Sequence, residues 1–118
     1  MPGHLTTHVL DTAAGRPAAG IRYRLYRIEG ESRQLLAEGE TNRDGRAPQP
    51  LLTPATIRPG PYSLEYEVGA YHRSRGLALT DPPFLDVVTL RFNVAALDQH
   101  YHVPLLLSPY GYTTYRGS

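Results

Sequence analysis

Apolar and polar residues alternate with a period of two along several short stretches of this chain, the pattern of strands half-buried in a sheet. Residues 61–68 show it most cleanly: Tyr62, Leu64, Tyr66 and Val68 fall on one face, leaving Ser63, Glu65 and Glu67 to face water. Over 5–10, Leu5, Thr7 and Val9 oppose Thr6, His8 and Leu10. Over 21–28, Ile21, Tyr23 and Leu25 oppose Arg22, Arg24 and Tyr26 until Arg27 breaks the alternation, which predicts a bulge or an exposed strand end. Residues 34–41 form a weaker strand. A further one at 85–94 carries Val88, Leu90, Phe92 and Val94 on one side, and 100–107 and 110–114 complete a set of seven or eight.

Eleven prolines and eleven glycines mostly lie between these stretches, where they reverse the chain. Residues 15–20 read as a turn. Asn42-Arg43-Asp44-Gly45 predicts a tight reversal, because Asp-Gly supplies positive φ at low cost. Residues 47–60, with four prolines, predict loop with at most one short strand. Residues 70–75 predict a short helix halted by Gly76. Short strands at turn-marked spacing define an all-β sandwich of two antiparallel sheets with one short helix. At 118 residues the chain is expected to form a single domain, 1–118, able to bury a core without a disulfide or metal staple.

Composition removes several chemistries. No Cys means no disulfide, thiolate nucleophile, zinc–thiolate site or iron–sulfur cluster. All twelve basic residues are Arg, which excludes lysine Schiff bases. A net charge of +1 on scattered arginines offers no basic stripe for nucleic acid. No apolar run reaches the roughly 18 residues of a membrane span, and residues 1–8 lack the basic and apolar regions of a secretion signal. A cytoplasmic location without nucleic-acid or membrane partners is therefore expected.

The remaining candidates are few. His100 and His102 sit two apart on a strand and project from one face. His8 lies on the first strand, opposite Leu5 and Val9. Arg46 follows a rigid turn, a usual place to present a side chain. His4 and His72 are assigned to the surface. His8, His100 and His102 can also be read as a metal centre, since neutral imidazoles bind zinc, copper or nickel, although no carboxylate adjoins the His100/His102 pair. Finally, Tyr115-Arg116-Gly117-Ser118 gathers an aromatic ring, a forked donor and a hydroxyl where a frayed polar tail is the norm.

Two long blocks carry a resemblance. Residues 6–20, Thr-Thr-His-Val-Leu-Asp-Thr-Ala-Ala-Gly-Arg-Pro-Ala-Ala-Gly, resemble the N-terminal signature of the transthyretin-like family. Residues 100–118, from His-Tyr-His-Val-Pro to Tyr-Arg-Gly-Ser, resemble its C-terminal signature, and residues 41–46 the turn between. The family has a hormone-carrier branch and a branch that hydrolyses 5-hydroxyisourate. Carriers lack the histidines and arginine that match His8, His102 and Arg46 and do not end in Tyr-Arg-Gly-Ser, so the chain is similar to the hydrolytic branch. Residues 80–88 depart from that branch's usual aromatic-rich segment, which puts local loop shape in question.

The resemblance implies a transthyretin-like sandwich, a homotetramer built as a dimer of dimers, and sites at the dimer–dimer interface. It implies opening of the lactam C–N bond of 5-hydroxyisourate to 2-oxo-4-hydroxy-4-carboxy-5-ureidoimidazoline in urate degradation, with no cofactor and no metal. By position, His8, Arg46, His102 and Ser118 would be the reacting groups, with His8, Arg46 and Tyr115 against substrate. Arg46 is expected to orient a flat, carbonyl-edged ring and to stabilise the oxyanion. One of His8 and His102 would activate water while the other relays or donates the proton; the order stays open. Ser118 would position water or join the relay. The alternative is a thyroid-hormone-type binding protein without catalysis.

Overall fold

The alternating stretches become strands because each buries one apolar face while the other meets solvent or a neighbour. The computed structural model describes residues 3–117. The order is β1 (Leu5–Asp11), β2 (Arg16–Pro17), β3 (Arg22–Glu29), β4 (Ser32–Glu40), β5 (Gly60–Glu67), α1 (Val68–Ser74), β6 (Val87–Val94), β7 (Tyr101–Ser108) and β8 (Gly111–Thr114). They form two four-stranded sheets, β2-β1-β7-β8 and β4-β3-β5-β6. Between them lies one cluster of buried side chains, with Leu5, Val9, Leu105 and Leu107 from the first sheet and Leu25, Leu64, Tyr66 and Val88 from the second. Burying a side chain of this size is worth about 1.5–3 kcal/mol, so the sandwich follows from the alternation itself. No helix among the described residues is long and apolar enough to cross a membrane.

The sequence reading expects two antiparallel sheets, and antiparallel pairing does dominate, but the first sheet is mixed. β1 runs parallel to β7, with Thr6 opposite His102 and His8 opposite Pro104. The whole second sheet is threaded between those two strands, and such a crossover leaves strand direction free of any local turn. The bulge falls between Leu25 and Tyr26 rather than at Arg27: Leu25 pairs with Ala37 and Tyr26 with Leu35, which leaves Leu36 of β4 as the extra residue. Ser63, expected to face water, is 5% exposed on β5, flanked in register by Tyr26 and Arg91.

The helix begins earlier than expected, at Val68, and its chain turns away at Gly76, whose φ is +76°. Val68, Tyr71 and His72 stand at i, i+3 and i+4 and are all buried. This spacing corrects the surface assignment of His72, which is 1% exposed with neither ring nitrogen hydrogen-bonded among the described residues. Burial holds its pKa below the ordinary value and keeps it neutral. The helix is tied to β1 by the Tyr71 hydroxyl, which donates to Asp11 Oδ2 at 2.7 Å.

Candidate active site

Residues 46–52 continue along the free side of β1 where the two-residue β2 stops. Leu5 bridges Leu52 and His8 bridges Arg46, both antiparallel. The turn before Arg46 is set by Gly45, at φ +76°, whose carbonyl accepts from Val9 N–H at 2.8 Å. Asn42 Oδ1 accepts from the N–H groups of Asp44 and Arg46. The turn is thus fastened to β1, and Arg46 is delivered beside His8.

On the other side, the chain after β8 returns along β7. Gly117 and His102 exchange backbone hydrogen bonds, 2.7 Å from Gly117 N–H and 3.3 Å from His102 N–H. A Cβ at Gly117 would lie 3.0 Å from His102 Cδ2, so glycine permits this approach. Arg116 secures the return: its guanidinium lies 4.2 Å over the Tyr101 ring and donates to Gln99 Oε1 and the His100 carbonyl. Across the outer face of the sheet the order is therefore Arg46, His8 on β1, His102 on β7, then Gly117.

The His8 and His102 rings lie 6.4 Å apart between centroids, tilted by 37°. Burial first, and then the Arg46 charge, hold the His8 pKa below its ordinary value, against an opposing pull from Asp44. His102 is lowered by burial, by Arg46, and by His8 and His100. Both imidazoles are neutral near pH 7 and able to accept a proton. A cleft of about 450 Å³ is lined by Thr6, Arg46, Pro48, His100 and His102 among others. A second, of about 520 Å³, is lined by His102, Tyr115, Arg116 and Gly117. His102 belongs to both.

The structure brings His8, Arg46 and His102 together and sets Tyr115 on the second cleft. Ser118 lies outside the described residues. Sequence reasoning missed Thr6, whose Oγ1 is 2.8 Å from His102 Nδ1 and 3.2 Å from His100 Nε2. An outward threonine on an alternating strand carries no signal of its own; only its register with His102 does. It missed the anchoring task of Arg116 for the same reason. The three-histidine metal centre is not formed: among the described residues no group of three His, Cys, Asp or Glu side chains is placed to hold an ion.

A two-sheet sandwich with imidazoles and a guanidinium on its outer face is the frame into which known proteins enter. The chain belongs to the HIUase/Transthyretin family, which it matches over residues 5–117. It is 58% identical to 5-hydroxyisourate hydrolase 2 of Rhizobium meliloti (strain 1021) over 98% of this chain and 97% of that one. Its structure is similar to that of an (S)-allantoin synthase, at 42% identity and a TM-score of 0.93; 99% of this chain is covered but only 44% of that chain. It is also similar to sea bream transthyretin crystallised with thyroxine, at 28% identity and a TM-score of 0.85, over 96% of this chain and 93% of that one. The fold is therefore shared by a thyroxine-bound transthyretin and by proteins named as enzymes, and the site has to decide.

Proposed function

We propose that this chain hydrolyses 5-hydroxyisourate, opening the lactam C–N bond with water. The observation that carries the reading is the strand-and-turn register that sets Arg46, His8 and His102 side by side. Curated relatives with that hydrolase name, at 49–58% identity, give the substrate. Arg46 offers paired N–H donors to a carbonyl edge and keeps its charge, which suits it to orient the ring and stabilise the developing oxyanion. One neutral imidazole takes a proton from water and the other relays or returns it to the leaving nitrogen. Tyr115, 59% exposed beside His102, supplies a face for the flat ring, and Ser118, one residue beyond the fastened Gly117, is assigned to hold water or join the relay.

The homotetramer and the cytoplasmic location belong to the same proposal. A direct test couples fresh urate oxidase product to the protein and follows decay of the intermediate's absorbance against a blank. Acceleration is expected; equal decay with and without folded protein would refute the reading. Saturable binding of iodinated aromatic hormones without acceleration would favour the carrier.

A further inference from the structure

We infer that Thr6 is a positioning residue that ties the tautomer of His102 to the protonation of His100, so that the two rings act as one proton-holding unit; this rests on the hydrolytic reading above. The parallel pairing of β1 with β7 places Thr6 directly opposite His102, and β-branching restricts its χ1. Its hydroxyl then stands between two imidazole nitrogens, 2.8 Å from His102 Nδ1 and 3.2 Å from His100 Nε2. All three residues line the same cleft. Thr6 meets His102 at Nδ1, so Nε2 is the nitrogen this inference assigns to water.

A hydroxyl has one proton to donate. Where Thr6 gives that proton to one ring nitrogen, the other ring nitrogen donates to Thr6. Two proton orders result. If His100 Nε2–H donates to Thr6 and Thr6 to His102 Nδ1, neutral His102 carries its proton on Nε2 and is an acid. If His102 Nδ1–H donates to Thr6 and Thr6 to His100 Nε2, neutral His102 keeps a lone pair on Nε2 and is a base. In many enzymes a carboxylate orients the catalytic imidazole and fixes one tautomer. Here the contact to His102 Nδ1 comes from a neutral hydroxyl that also reaches a second imidazole.

Protons balance through this chain. His102 Nε2 takes a proton from water as the oxygen bonds to the carbonyl carbon. The Nδ1 proton passes to Thr6 while Thr6's own proton passes to His100 Nε2, leaving His102 neutral with Nε2–H and His100 cationic. As the C–N bond breaks and Nε2 delivers its proton to nitrogen, the two transfers reverse. One proton has moved from water to the leaving group and none is retained. A positive charge on His100 disfavours the cationic form of His102.

Thr6→Val removes the hydroxyl and keeps the shape; Thr6→Ser keeps the hydroxyl; thermal melts establish that both fold. Thr6→Val is expected to lose about ten- to a hundred-fold in kcat, the scale of one hydrogen bond to a charged ring, with KM little changed and most of the rate restored in Thr6→Ser. In ¹⁵N-histidine NMR, the tautomer ratios of His102 and of His100 should both change in Thr6→Val. Adding His100→Ala to Thr6→Val should cost less than the two single losses multiplied together. An unchanged ¹⁵N pattern in Thr6→Val overturns the inference whatever the rate does, and so do fully multiplicative losses. If the wild type fails to hydrolyse 5-hydroxyisourate, the functional reading falls, while the ¹⁵N tautomer ratios still decide the coupling.

Discussion

Arg46 is the side chain whose charge lowers the pKa of both His8 and His102, and that double influence separates its two tasks. As an oxyanion donor, its loss in Arg46→Ala should cost on the order of 10²–10³ in kcat. As a fixed positive charge, its loss should raise both imidazole pKa values, and the acidic limb of the remaining activity should move to higher pH. In the wild type the sign is the reverse. Imidazoles with lowered pKa stay unprotonated further into acid, so kcat/KM should be flat near neutrality and fall only with a midpoint below about 6.5. A midpoint above that value, or an Arg46→Ala limb that does not move, would count against the assignment. His72 shows the other use of a neutral imidazole: buried in the helix face, it packs beneath Tyr71 at 5.4 Å between ring centroids.

At the scale of elements, two ties hold the working parts. The first is the strap after β8. Gly117→Val would place a side chain 3.0 Å from His102 Cδ2 and lift the strap from β7, while leaving the core between the sheets untouched. A large fall in kcat with an unchanged melting temperature is expected; loss of both together would make the strap part of the fold. The second tie is Asp11, 2% exposed. Burial alone would raise its pKa, but the Tyr71 hydroxyl, the Ala14 N–H and the Arg75 charge overcome that and hold it below the ordinary value. Near pH 3–4 the folded state thus binds fewer protons than the unfolded chain. The stabilisation is present above about pH 3.9 and is lost as pH falls through the lower folded value. Tyr71→Phe should cost about 2 kcal/mol at neutral pH, and its gap to wild type in urea melts should close in acid. A gap independent of pH would mean Asp11 does not carry it.

The same elements show what a sequence can disclose. Strands β1, β3, β5, β6 and β7 were legible because alternation is local, and Arg46 because an Asn-Arg-Asp-Gly turn fixes the place of the next residue. The gathering of the site was not. Thr6 and His102 meet across a sequence separation of 96 residues through a parallel pairing that no turn announces. Only the likeness of the two end blocks and of the turn at 41–46 to a family placed His8, Arg46 and His102 in one cleft. His72 was missed because a seven-residue helix is too short for its buried face to stand out in the sequence, although i, i+3, i+4 spacing was there.

For the whole molecule, the outer face of the first sheet is the surface that has to be explained. Leu10 and Leu106 lie in register on it, half-buried, with the imidazoles further along the same strands. Tyr110 and Tyr115 stand 62% and 59% exposed at its margin. A site on one open face leaves water and substrate equally free, whereas a second copy laid across it would shield the reacting groups and strengthen their electrostatics. Twofold packing also covers the same leucines on both partners. Leu106→Arg adds a charge to that face while Leu105 and Leu107 keep the core filled, so the chain should still fold. It should sediment at lower mass than wild type at micromolar concentration and lose activity in step with the loss of assembly. Wild-type protein that sediments as a single chain would end the tetramer proposal. A Leu106→Arg protein that keeps both mass and rate would show that copies meet elsewhere and that the cleft works alone.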